Sequence, residues 1–95
     1  MILEIATFDV LPGKEAEYET AITKAIPIIA SMKGHVSNEL KRCIEKPSRY
    51  VFLVTWETLE DHTVGFRTSE EYKEWSALLH HFYESKPSVE HYEIL

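Results

Sequence analysis

His62 is the residue best placed for chemistry. It lies three residues after Leu59 and four before Phe66, a spacing that puts all three on one face of a short helix turned toward the core. An imidazole there could act as a base or orient an oxygen of a bound molecule, because its ordinary pKa lies near neutrality. The same ring could instead be a core histidine bonded to a carbonyl or a neighbouring side chain. If it is a base, turnover should rise with pH through a pKa near that of free histidine. Trp56, Phe66, Tyr72, Trp75 and Phe82 converge around it, joined by Tyr50 and Phe52. Such a cluster could line a slot for a flat aromatic ligand or fill a plain core, and the two differ only in whether a void remains. Arg67 follows Phe66 and could bind a carboxylate or phenolate at a pocket mouth. Its alternative is a surface ion pair with Glu70 or Glu71.

Other chemistries lack their residues. His80 and His81 are adjacent, so on a helix they point about 100° apart and cannot chelate one ion as a pair. They also fall away from the Tyr72–Phe82 stripe. His91 and Tyr92 belong to a closing strand, where cross-strand or interface packing is the default. There is no metal-ligand spacing, no glycine-rich phosphate loop and no Ser or Cys nucleophile beside a recognisable base. An enzyme with this sequence would work without metal, nucleotide or flavin. The lone Cys43 cannot form an internal disulfide, reads as a buried structural thiol in a strand, and suits a reducing cytoplasm.

The elements that must position these residues follow from periodicity. Ile2–Val10 reads as a strand ended by Pro12-Gly13. Tyr18, Ile22, Ala25, Ile29 and Met32 form a helical stripe within Lys14–Met32, with a kink or short break expected near Thr23–Pro27 and a stop at Gly34. His35–Ile44 and Arg49–Glu57 form a hairpin around Glu45–Ser48. Thr58 caps a short helix that breaks at Gly65–Thr68, and Thr68-Ser69-Glu70-Glu71 reads as a capping box for the last helix. That helix carries Tyr72, Trp75, Leu79 and Phe82 on one stripe. Val89–Leu95 is the final strand.

The order β-α-β-β-α-β is the ferredoxin-like split β-α-β arrangement, an α+β fold with an antiparallel sheet and helices on one face. All 95 residues form one domain. The strand Tyr50–Trp56 has apolar residues on both faces, and Ile2–Phe8 also lacks a clean solvent face, so the sheet side without helices needs a cover. A second copy of the chain is the economical one, which predicts a homodimer. A net charge of −6 with scattered Lys and Arg excludes a phosphate-backbone partner and so a nucleic acid. The charges in residues 1–30 leave neither a signal-peptide core nor a membrane span.

Nearly the whole chain resembles the antibiotic biosynthesis monooxygenase domain family, with its dimeric α/β-barrel fold. The most specific stretch is residues 54–93, VTWETLEDHTVGFRTSEEYKEWSALLHHFYESKPSVEHYE. It is similar to a branch carrying W-E-S-L-E-x-H and G-F-R-x-S-x-x-Y-x-x-W signatures. Gly34-His35, followed by Glu39-Leu40-Lys41-Arg42, resembles the family's second strand. The resemblance implies a cofactor-independent monooxygenase of a small phenol, quinol or anthrone, with no bound cofactor, or a non-catalytic dimeric binding module of the same fold. The family's haem-degrading branch relies on an Asn, a Trp and a His. Here the first strand has no Asn, Gly65 stands where that branch has its Trp, and Trp75 falls near its His, so haem degradation is not implied. Under the oxygenase reading His62 is the base, Trp56 and Phe66 are the walls, Arg67 or Tyr72 is the partner of an oxyanion, and Trp75 is a further substrate-binding candidate.

Overall fold

Four strands alternate between a covered and an open face. The computed structural model describes residues 1–95 as β1 (Ile2–Asp9), α1 (Glu15–Ala30), β2 (His35–Arg42), β3 (Arg49–Trp56), a π-helical turn (Asp61–Phe66), α2 (Glu70–Leu79), a 3₁₀ turn (His80–Phe82) and β4 (Ser88–Glu93). The sheet is antiparallel throughout, in the order β2-β3-β1-β4. This is the expected α+β ferredoxin-like arrangement. No helix is long and apolar enough to cross a membrane.

Alternation along the strands decides what the helices cover. Tyr50, Phe52, Val54 and Trp56 of β3 are buried with Glu4, Ala6 and Phe8 of β1. They pack with Tyr18, Ile22, Ala25 and Ile29 of α1 and with Trp75 and Leu79 of α2. Leu3, Ile5 and Thr7 of β1 and Val51, Leu53 and Thr55 of β3 point the other way and are only half-buried. They pair directly across the two central strands, Ile5 with Leu53 and Leu3 with Thr55.

Several element ends differ from expectation. α1 runs unbroken through Pro27, because Pro27 faces solvent and water can replace the one amide donor it removes. β2 stops at Arg42 rather than Ile44, which lies 90% exposed. Cys43 is therefore past the strand and half-buried, not a core thiol. Thr58 caps as expected, its Oγ1 accepting from the Asp61 amide at 3.2 Å. The following helix widens to a π-turn that continues through Gly65. Leu59 consequently lies partly exposed while His62 and Phe66 are buried. The capping box does not close: Ser69 is the N-cap and accepts from the Tyr72 amide at 3.1 Å, so no Glu stands at the reciprocal position. β4 ends at Glu93.

Gly34 links the two halves of this architecture. Its φ of +87° is left-handed, and a Cβ there would overlap the Asp61 side chain. Its carbonyl accepts from the Glu57 amide at 2.7 Å. Only glycine meets both demands, and the result fixes the end of β3 against the start of the π-turn that carries His62.

Candidate active site

The helix-facing side of the sheet does not close on the helices. A cavity of about 640 Å³ remains between β1, β4, α1 and the Asp61–Leu79 segment, within the range of small-molecule sites. Its lining is mostly apolar. Along β1 it runs past Glu4, Ala6 and Phe8, a span of roughly 13 Å at strand rise.

The polar end is built by four elements. Glu4 of β1 is 6% exposed and His62 of the π-turn 4% exposed. The Trp56 indole N–H donates to Glu4 Oε1 at 2.9 Å, reaching diagonally across the β1–β3 pair. His62 Nε2 lies 3.4 Å from the same oxygen. Its Nδ1 lies 2.8 Å from Nε2 of His91 on β4, the residue directly opposite Glu4 in the β1–β4 register. The His62 ring stacks on Trp56 with centroids 5.4 Å apart and planes at 21°. His62 and Phe66, four apart on this turn, both face inward. At the far end the Tyr18 and Tyr83 hydroxyls pair at 3.2 Å, and both lie among rings that line or back the cavity.

Burial pushes this cluster toward its uncharged forms. Desolvation, with smaller contributions from the Arg67 and His91 charges, takes His62 down to about 3. Desolvation raises Glu4, opposed by the Trp56 hydrogen bond and by Arg67. His91 is lowered for the same reason as His62, burial and then Arg67. Burial thus places His62 below the ordinary histidine range on which the expected rise of turnover rests.

The candidate residues fall as follows. His62, Phe66, Arg67, Tyr72 and Trp75 all line the cavity. Trp56 does not: it is fully buried behind Glu4 and His62, and it holds them rather than forming a wall. Arg67 makes no ion pair, since Glu70 is engaged by Lys73 at 3.1 Å, and its guanidinium is close enough to bias Glu4, His62 and His91. Tyr72 meets Phe66 edge-on at 5.2 Å. His80, expected to fall away, lines the cavity beside Tyr72. His91 bonds His62 instead of merely packing across strands. Glu4 is a buried cavity-lining carboxyl that the sequence did not single out, although strand parity places it on the same face as Ala6 and Phe8. No group of three His, Cys, Asp or Glu side chains is arranged to hold a metal ion.

These shifts fix how stability responds to pH. The unfolded chain's histidines take protons near 6.5, whereas folded His62, and also His35, His80 and His91, resist them. The histidine contribution is thus complete above about 6.5 and is lost as pH falls, by up to about 1.4 kcal/mol per pH unit for the buried His62 and by less for the more exposed rings. Glu4 acts oppositely, since its raised folded pKa favours the folded form as acid is added through the carboxylate range. Thermal melts should therefore show Tm falling from pH 7 to pH 5, with a shallower fall in His62→Gln. A level Tm across that interval would contradict the assignment.

Comparison with known proteins adds the following. The family model described as antibiotic biosynthesis monooxygenase matches residues 1–78. The chain is 50% identical over 93 residues, 98% of each chain, to the uncharacterized protein YczJ of Bacillus subtilis (strain 168). A Bordetella bronchiseptica crystal structure that carries the same family assignment superposes with a TM-score of 0.95 at 37% identity, covering 99% of this chain and 96% of that one. SnoaB from Streptomyces nogalater, a cofactor-independent oxygenase, has a TM-score of 0.85 over 99% of this chain and 92% of its own. At 17% identity that last likeness speaks for the fold alone.

Proposed function

The chain belongs to the antibiotic biosynthesis monooxygenase family, and we propose that it is a cofactor-independent monooxygenase of a small electron-rich aromatic bound between sheet and helices. The observation that carries this reading is the cavity of about 640 Å³ beside His62 and Glu4. A filled core would favour a protein with no chemistry there. The space instead supports an apolar slot with convergent polar groups at one end. Phe66 and Trp75 are the walls, and Arg67, free of ion pairs and next to the polar end, is the partner for a phenolate or enolate oxygen, with Tyr72 beside it.

The chemistry needs little from the protein. An anthrone-type substrate becomes easy to oxidise once its methylene loses a proton to the Glu4–His62 end. The resulting carbanion or enolate forms a C–O bond with dioxygen, and the peroxide takes a proton. Removal of the second hydrogen from that carbon expels hydroxide, which leaves as water. The balance is R₂CH₂ + O₂ → R₂C=O + H₂O, with the substrate supplying every electron. The protein must exclude water, orient the ring, and accept and return protons.

The working unit in this proposal is a homodimer of cytoplasmic protein. Leu3, Ile5, Val51 and Leu53 make an apolar strip on the sheet face that no helix covers, and a second sheet is the natural cover.

Oxygen uptake by the purified protein against a panel of anthrones, dihydroquinones and electron-rich phenols tests the reaction. One dioxygen should disappear per substrate, without added metal, flavin or haem, and catalase should return none of it. Binding of panel members with no oxygen uptake would assign a binding module instead.

A further inference from the structure

We propose that Glu4 is the group that receives the substrate's proton, and that His62 and His91 connect it to the edge of the sheet as a proton path; this rests on the oxygenase reading above. The two ring nitrogens of His62 face groups of the protein, Nε2 lying 3.4 Å from Glu4 Oε1 and Nδ1 2.8 Å from His91 Nε2. The ring therefore offers the cavity only its carbon edge. Glu4 differs. Its Oε1 takes the Trp56 indole proton and faces His62, while Oε2 makes no hydrogen bond and is not among the sealed polar atoms of the molecule. Glu4 lines the cavity, so Oε2 is the acceptor that opens onto a bound ligand.

The rest of the path leads outward. His91 is absent from the cavity lining and half-buried on the edge strand β4. The three groups allow two matched arrangements. With Glu4 protonated, its hydroxyl faces His62 Nε2, His62 Nδ1–H donates to His91 Nε2, and His91 carries its other proton on Nδ1. With Glu4 ionised, His62 Nε2–H donates to Glu4, His91 Nε2–H donates to His62, and His91 Nδ1 is bare. One proton hop at each link converts the first into the second and delivers one proton from His91 Nδ1 to solvent. No imidazolium forms at His62 on the way, which is how a buried ring that resists protonation can still pass a proton. The ionised Glu4 is then held by the Trp56 N–H, with the Arg67 charge nearby; its Oε2 takes the substrate's proton, and a half-turn of the carboxyl brings that hydroxyl round to His62 Nε2 and restores the first arrangement. The remaining titratable group at this end is His35 of β2, edge-on to the far side of Trp56 at 6.0 Å.

Two variants and one spectroscopic measurement test the path. Glu4→Gln keeps the acceptor for Trp56 and should lower kcat by about 10²-fold or more. His91→Gln, outside the cavity, should lower kcat by roughly tenfold with KM nearly unchanged, and imidazole in the buffer should restore part of the rate. A merely structural His91 would move Tm and KM together and show no rescue. Ring nitrogen NMR reads the path without turnover. As Glu4 titrates, His62 and His91 should exchange tautomers together at one midpoint, and Glu4→Gln should abolish the exchange. Rings that hold their tautomers while Glu4 titrates would overturn the path, as would full activity of Glu4→Gln. Joint exchange in a protein that consumes no oxygen would uphold the path and defeat the oxygenase reading. Oxygen uptake with independent rings would do the reverse.

Discussion

Replacing His62 by Ala should reduce oxygen-dependent turnover by about 10²-fold, the scale on which a positioned proton-transfer group contributes. The ring is the middle link between Glu4 and His91. Its loss leaves Glu4 fixed by Trp56 alone and opens space beside Phe66 and Trp56, whose rings lie 6.4 and 5.4 Å from it. His62→Gln, which keeps polar atoms in that space, should recover folding more than rate. The pH profile separates this account from general-base catalysis by His62. A free-histidine base would give a rise centred near 6.5. With His62 pushed down to about 3, its neutral form already dominates from pH 5 upward, so no such rise is expected. The rate should instead follow the ionisation of Glu4, above the ordinary carboxylate range. Steady-state rates from pH 5 to 9 check this, and a step at 6.5 that vanishes in His62→Gln would return the base role to His62.

The sequence made His62, Phe66, Arg67, Tyr72 and Trp75 legible as one set because each sits on a helical stripe or at a helix break, and local spacing reports such faces directly. Glu4 was hidden by the opposite circumstance. A carboxylate in a first strand reads as solvent-facing until its partners are known, and those partners, Trp56 and His62, lie 52 and 58 residues on. Period-two alternation carried the signal: Glu4 shares its face with Ala6 and Phe8. His91 was obscured in the same way, since only the β1–β4 register brings it opposite Glu4. Trp56 was drawn into the pocket by its size, yet a ring that donates to a buried carboxylate must lie behind it. The π-turn was likewise invisible, because a helix and its widened form share nearly the same apolar spacing over six residues.

Leu53→Asp should remove the dimer and, with it, much of the fold's stability. Leu53 stands at the centre of the uncovered face, paired with Ile5 on one side and Glu39 on the other. In a face-to-face dimer, a carboxylate introduced at that point would enter an apolar interface without a partner, which costs several kcal/mol. A domain of this size is marginal on its own, so dissociation and unfolding should be seen together. Light scattering at micromolar concentration should give twice the chain mass for the wild type and the single mass, or aggregate, for Leu53→Asp. Thr55→Asp, nearer the Trp56 end of the same strand, should do less. The wild type running as a monomer at that concentration would remove the dimer. Turnover measured beside mass then distinguishes a dimer needed for folding from one needed for the site.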